Sequence, residues 1–406
     1  MLGKLAGTVL LVGVLSGTNG WCASVAPTPS DPPMVAQADN EVPLLPPPAA
    51  APESTSAMAA PVPTPSARVA LLLPLRSESL GSAAEAVRDG FMAAHQRDPE
   101  GAIITTYETG DAAQDTLSGY AEAAAGNDIV VGPLSRTDVT AIALSRAVSK
   151  PTIALTQPDL DSALEGALPR QLLVIALSIE DESRQVASWA AAGKKSARAF
   201  VISTTTAWQR RAAKAFAGQW KKEGMEAQSM ELSGSGGTFS ASSLAMLKKR
   251  LLAEKPALLF LALDTAQARQ VRAAVGNEIA LYGTSQLNPF VPQERDVSDP
   301  TPDMDGVRLL DLPWQIELDD PAVMVYPRAE ANPDLKRSAD LERLYGLGID
   351  AYRIAREIAL HRTQFDLDGV TGKLSIGFGT SAARFSRVFV PAYYRDGVVV
   401  PLAPTP

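Results

Sequence analysis

Short apolar runs alternate with helical patterns along most of this chain, beginning at Arg68. Residues 69–75 (VALLLPL) are apolar on both faces, as a parallel strand covered on both sides requires. Ala83, Val87, Gly90, Phe91 and Ala94 then recur at helical spacing and place one apolar stripe on a helix. Residues 103–107 read as the next strand, and Asp111 opens a helix running to about Ala125. Residues 128–131 read as a third strand. Gly132-Pro133-Leu134 then turns into a helix capped by Ser135, with Val139, Ile142, Ala143 and Ala147 inward. Strands at 151–155 and 172–177 complete a first α/β unit.

The rhythm restarts with a helix near 181–192, a strand at 199–203 and a helix with Trp208, Ala212, Phe216 and Trp220 on one face. Strands at 226–232, 257–263 and 279–282 alternate with helices at 240–253 and 265–275. Two consecutive βαβ series predict an α/β fold of two doubly wound lobes. An eightfold barrel is excluded, because the strand at 307–313 and the long helix at 340–360 break an equal βα count. Residues 369–376 and 385–402 read as strands, the latter folded into a hairpin at Arg395-Asp396-Gly397. A chain that builds one lobe, then the other, then returns to the first crosses between lobes more than once and encloses a cleft. The expected division is lobe one at about 67–180 plus 310–404 and lobe two at about 181–309.

The first 66 residues follow different rules. Lys4 supplies a positive n-region and residues 9–14 (VLLVGV) a short apolar one, too short to span a bilayer, so residues 1–24 read as a bacterial secretory signal. Cys22, the only cysteine, sits where bacterial lipoproteins are cut and acylated. Trp21 occupies the position before it, where a small residue is usual, so ordinary cleavage after Ser24 stands beside lipidation. Residues 25–66 are rich in Pro, Ala, Ser and Thr and have no apolar periodicity, the composition of an extended tether. At a rise of about 3 Å per residue, roughly forty residues reach up to ~100 Å.

The chain carries a formal net charge of −8, and removing the signal deletes Lys4 and no acid. Such a surface attracts neither nucleic acid nor anionic lipid by net charge. One cysteine permits no internal disulfide, and two histidines with one cysteine offer few soft or imidazole ligands for a transition metal. No metal or cofactor is expected. Enzymatic constellations are weak as well: His95 and His361 have no nucleophile turn to serve, and Gly372-Lys373-Leu374-Ser375 lacks the spacing of a phosphate loop. Gly234-Ser235-Gly236-Gly237 misses the last glycine of a dinucleotide fingerprint and reads as a flexible loop. Asp366 and Asp368 read as solvated residues of a turn before Gly369.

A binding site is more credible, because open α/β folds dock ligands beyond the carboxyl ends of their strands, near helix N-termini. The loops so placed are 76–80, 132–136, 156–159 and 204–208, with Arg76, Ser135, Thr156 and Gln157 as candidate ligand contacts; Asn288 and Trp314 are expected to face the cleft from the crossover. A helix cap for Ser135 and a strand end for Thr156 are the plainer alternatives. Residues 288–305 form a proline-rich excursion, too long for an ordinary connection, and are the candidate partner-docking segment.

The strand RVALLLPL at 68–75, Asp89-Gly90-Phe91, DIVVGPL at 128–134, PTIAL at 151–155 and GVTGKLS at 369–375 together resemble type I periplasmic binding proteins. More narrowly they resemble the LppC-type lipoproteins, the penicillin-binding-protein activators of the bacterial outer membrane, over about residues 67–404. The resemblance implies a non-catalytic lipoprotein on the inner face of the outer membrane. It would reach into the periplasm to bind and stimulate a bifunctional, class A penicillin-binding protein. Larger members carry a helical-repeat domain where this chain has its tether. In amino-acid receptors of the type I class, hydroxyls at places similar to Ser135 and Thr156 hold the ligand's carboxylate. The alternative function is therefore a periplasmic solute receptor that feeds an amino acid or similar small anion to an ABC transporter.

Overall fold

The computed structural model describes residues 66–159, 168–292, 300–328, 338–379 and 382–403; the expected signal, Cys22 and nearly all of the expected tether lie outside them. The first series runs β1 (Ala67–Leu73), α1 (Gly81–Arg97), β2 (Ala102–Glu108), α2 (Ala113–Gly126), β3 (Ile129–Val131), α3 (Arg136–Leu144), β4 (Thr152–Ala154) and β5 (Leu172–Val174). These strands pair in parallel in the order β2-β1-β3-β4-β5. β1 is apolar at consecutive positions because each face meets its own layer. Val69, Leu71 and Leu73 enter one core with Val87 and Phe91 of α1, whereas Ala70 and Leu72 enter another with Tyr120 and Ala123 of α2.

The second series runs α4 (Ile179–Ala191), β6 (Arg198–Ser203), α5 (Ala207–Lys222), β7 (Glu226–Glu231), β8 (Gly234–Ser235), β9 (Thr238–Phe239), α6 (Ala241–Glu254), β10 (Leu258–Leu261), α7 (Thr265–Val275) and β11 (Ala280–Gly283). Then come β12 (Arg308–Asp311), α8 (Pro313–Ile316), α9 (Pro321–Met324), α10 (Ala339–Ala359), β13 (Gln364–Gly369), β14 (Gly372–Gly377), β15 (Arg384–Val388), β16 (Val390–Arg395) and β17 (Val398–Pro401). Residues of β6 and β10 also alternate between two layers. Val201 and Phe260 point to the α5 side with Phe216 and Trp220, and Phe200 and Leu259 to the α6–α7 side with Leu247 and Val271.

Residues 310–404 do not return to the first lobe as a block. The second sheet has the order β17-β16-β12-β11-β10-β6-β7, so β12 and the terminal hairpin belong with it. The hairpin turns at Asp396-Gly397, both at positive φ, and pairs antiparallel to β12 from Arg308↔Tyr393 to Asp311↔Val390. Paired with β12, the hairpin buries Ala392, Tyr394 and Val399 in the core that holds Leu309. α10 does return, laid along α1. Its Gly348 meets Val87 and Phe91, while Gly90 of α1 meets the backbone of Tyr345. β13, β14 and β15 form a separate antiparallel sheet. Asp366 and Asp368 lie on β13, not in a turn; both are exposed, and Asp368 pairs across to Lys373. α3 stops at Leu144, with Arg146 at φ 57, so Ala147 is exposed rather than inward.

Candidate functional site

The strand pairing of β3 with β4 brings two of the expected loops together at the carboxyl edge of the first sheet. Leu155 N–H donates to the Pro133 carbonyl at 3.0 Å, and Arg136 reaches the Pro158 carbonyl at 3.4 Å. Ser135 caps α3, its hydroxyl accepting from Asp138 N–H at 3.1 Å. Thr156 and Gln157 are partly exposed beside it. Gly132 is required here, because its φ is +119 and a β-carbon would collide with the Leu72 carbonyl. Arg76 is exposed and turned away onto Asp115, at 2.8 Å, and the Glu108 carbonyl.

Trp314 and Asn288 do not face a cleft. Trp314 is fully buried: its ring stacks on Tyr345, the Arg328 guanidinium lies 3.6 Å above it, and its indole N–H donates to Glu342. An indole at this chain position has an apolar slot and a carboxylate acceptor, so burial satisfies both of its characters. Asn288 is also buried, donating to Asp311 at 2.7 Å. The excursion that follows it is pinned at both ends. Phe290, Val291 and Met304 are buried, and Thr301 N–H bonds the Gly397 carbonyl, while 293–299 lie outside the described residues.

The charged groups that the sequence reading overlooked gather at the seam between the two series. Arg343 of α10 donates two hydrogen bonds to Asp311 at the end of β12, at 3.1 and 2.9 Å. It also holds the Ser285 and Asn288 carbonyls, each at 2.9 Å, and Asp340 at 2.9 Å. Glu182 of α4 accepts from Ser285 N–H at 2.9 Å. Burial alone would lower the Arg343 guanidinium, but Asp311 facing it reverses the shift and holds it above its ordinary value. Burial pushes the Glu182 carboxyl up to about 7, and neighbouring Asp311 adds to the rise.

A second buried relay explains the GVTGKLS stretch. Asp350 of α10 accepts from Val370 N–H and from Thr371 N–H and hydroxyl, the last at 2.6 Å. The Thr371 hydroxyl accepts in turn from Arg387 of β15 at 3.0 Å. The Arg387 guanidinium caps the Ile175 and Ala176 carbonyls beyond β5 and sits between the rings of Phe385 and Phe389. Burial lowers its pKa to about 10. A β-carbon on Gly369 would lie 2.7 Å from Asp350 Oδ2, which is why glycine opens the turn. The only advance signal of either relay was the presence of charged residues on the otherwise apolar face of the 340–360 helix.

Arg387 and Phe385, with Gln185 and Arg184 of α4, also line a pocket of about 220 Å³. A wider one of about 420 Å³ opens at the carboxyl ends of β6 and β7, walled by residues 204–206 and the β8–β9 hairpin. The expected flexible loop at 234–237 is that hairpin, with Gln270 bonding Gly237 O and Phe239 N–H. His95 is half-buried and meets the Tyr352 hydroxyl at 3.3 Å, and His361 lies just past the end of α10 at φ 58. Among the described residues, no helix is long and apolar enough to cross a membrane.

Two parallel-stranded series, joined by crossing elements and a returning helix, define a type I periplasmic-binding-protein-like fold. The model of the LppC putative lipoprotein family matches residues 35–237 and 249–397, and the chain belongs to that family. It is 27% identical over 319 residues to the penicillin-binding protein activator LpoA of Yersinia pseudotuberculosis serotype O:1b (strain IP 31758), covering 68% of this chain and 46% of that protein. The chain thus spans about half the length of the curated relatives it matches. The C-domain of Haemophilus influenzae LpoA (YraM), described as a regulator of PBP1A, superposes with a TM-score of 0.64 at 21% identity, covering 83% of this chain and all of that one. A structure from Chromobacterium violaceum ATCC 12472, described as a putative branched-chain amino acid ABC transporter, superposes with a TM-score of 0.63. It is 33% identical and covers 81% of this chain and 100% of that chain.

Proposed function

We propose that this protein is a non-catalytic activator that binds a class A penicillin-binding protein and stimulates its synthesis of peptidoglycan. The observation that carries the reading is the family match, which extends from within the tether through most of the folded body. Relatives named as activators of penicillin-binding proteins support it. The seam adds a physical argument. A solute receptor must open and close its lobes around a ligand, whereas here Arg343 and Asp311 tie α10 to the second sheet through a buried, bidentate ion pair. A body so tied suits docking as a single surface, favouring the active state of the synthase.

In this reading the chain works in the periplasm, held to the inner face of the outer membrane by a lipid on Cys22, with residues 25–66 as the reach. The direct test is capture of detergent-solubilised class A synthase by the full-length protein at physiological salt. A saturable complex is expected, and its absence at tens of micromolar would overturn the reading.

The receptor reading keeps one observation in its favour, the adjacency of the Ser135 and Thr156 loops beside Gln157. Branched-chain amino acids would then raise the melting temperature in proportion to the logarithm of their concentration, and Ser135→Ala with Thr156→Val would abolish the rise. Arg76, held by Asp115, would contribute only after breaking that pair.

A further inference from the structure

Glu182 is 4% exposed and lies at the seam where α4, the Ser285–Leu287 turn, β12 and α10 meet. The charged groups that face it are Asp311 from β12, Arg343 from α10 and, farther off, Arg387 from β15. On the α5 side, Arg211 is committed to Glu180 at 2.8 Å. Both cations near Glu182 are already matched by a fully buried carboxylate, Arg343 by Asp311 directly and the more distant Arg387 by Asp350 through Thr371. An ionised Glu182 would add an unmatched negative charge to a buried seam, which is costly. A proton on Glu182 leaves the cluster neutral, and its Oε2 still accepts the Ser285 N–H.

Glutamine would accept that N–H with no ionisation at all. What a carboxyl adds at this place is the capacity to lose a proton. The Ser285 turn it holds is the same turn whose carbonyl holds Arg343. Arg343 in turn ties α10, which packs on α1, to the end of β12 inside the second sheet.

We infer that Glu182, Ser285, Arg343 and Asp311 form a proton-linked latch between the lobes, closed while Glu182 carries its proton and loosened when the proton leaves. The inference does not depend on the identity of any partner. It gives the body a stiffness that responds to pH across the neutral range.

Hydrogen exchange in the full-length protein tests it, read at the amides of residues 285–288 and 339–350 and corrected for intrinsic exchange. If Glu182 has its ordinary value of 4.5 once the latch opens and about 7 while it is closed, the opening constant rises on the order of thirtyfold between pH 5.5 and pH 8. Glu182→Gln should remove that rise, and Glu180→Gln should leave it in place. A flat profile in the natural protein, or an unchanged rise in Glu182→Gln, would overturn the latch. Because Glu182→Gln could fail to fold, carbon-13 titration of the Glu182 carboxyl in the natural sequence gives an independent reading. A midpoint near 7 is expected, and one below 5.5 overturns the inference.

Discussion

Replacing Gly348 with alanine sets helix propensity against packing. Alanine is the better helix former by about 1 kcal/mol, so propensity alone predicts a stabilised α10. The structure predicts the reverse. A β-carbon at Gly348 would lie 2.8 Å from Phe91 N and 3.0 Å from the Val87 carbonyl carbon, and closer still to that carbonyl oxygen, against ordinary contacts of 3.4–4 Å. All three atoms belong to the backbone of α1 and cannot swing aside, so the helices must separate and open voids along the seam. Overpacking of this kind costs about 3 kcal/mol at its upper range, leaving a net loss of ~2 kcal/mol after the propensity gain. For a folded body of this size, with an unfolding entropy of about 2.1 cal/mol/K per residue, that is a fall in melting temperature of roughly 3 °C. Gly218→Ala is the control, since Gly218 lies within α5 with nothing within 4 Å of its β-carbon position; it should be neutral or stabilise by up to about 1 kcal/mol. Urea unfolding followed by circular dichroism reads both variants. A Gly348→Ala protein as stable as the natural one would refute the close crossing.

Arg343→Met leaves Asp311 buried without its cation and should cost about 3–5 kcal/mol in the same assay, whereas the double variant Arg343→Met/Asp311→Asn should lose less than the sum of the two single changes. Thr371→Val removes one acceptor from Arg387 and one donor from Asp350, for a loss of about 1–3 kcal/mol by thermal or urea unfolding. Stability should also fall with rising pH between about 4.5 and 7. Glu182 binds its proton more tightly folded than unfolded, so its contribution is complete below 4.5 and lost through 7, a change of up to about 3 kcal/mol that Glu182→Gln should abolish.

The alternation of apolar runs with helical stripes was enough to reveal the two series, because both cover their strands on two faces and leave few polar interruptions. Phe216, Trp220 and Val87 went inward as their spacing required. The destination of the C-terminal strands was not legible. Residues 390–401 alternate as any half-buried hairpin does, and nothing in their pattern distinguishes the edge of one sheet from another; the partner, β12, decides. The site was less legible still. Trp314 looks like a cleft aromatic until its slot beside Tyr345 and Arg328 is seen, and Ser135 serves the cap that its position before a helix suggested. Arg343, Asp350 and Asp311 were invisible because the partners that hold them across the seam and the relay lie from 20 to 58 positions away along the chain, beyond the reach of periodicity. The motif glycines, conversely, were recognised before their reason was known: Gly90, Gly132 and Gly369 each stand where another chain segment leaves no room for a side chain.

The measurement closest to the central claim is the rate of glycan polymerisation and cross-linking by a purified class A penicillin-binding protein from the same organism, with the full-length protein titrated in. The account predicts a saturable rise in one or both rates, with no activity from the protein alone. Unchanged rates at concentrations well above that of the synthase would contradict it.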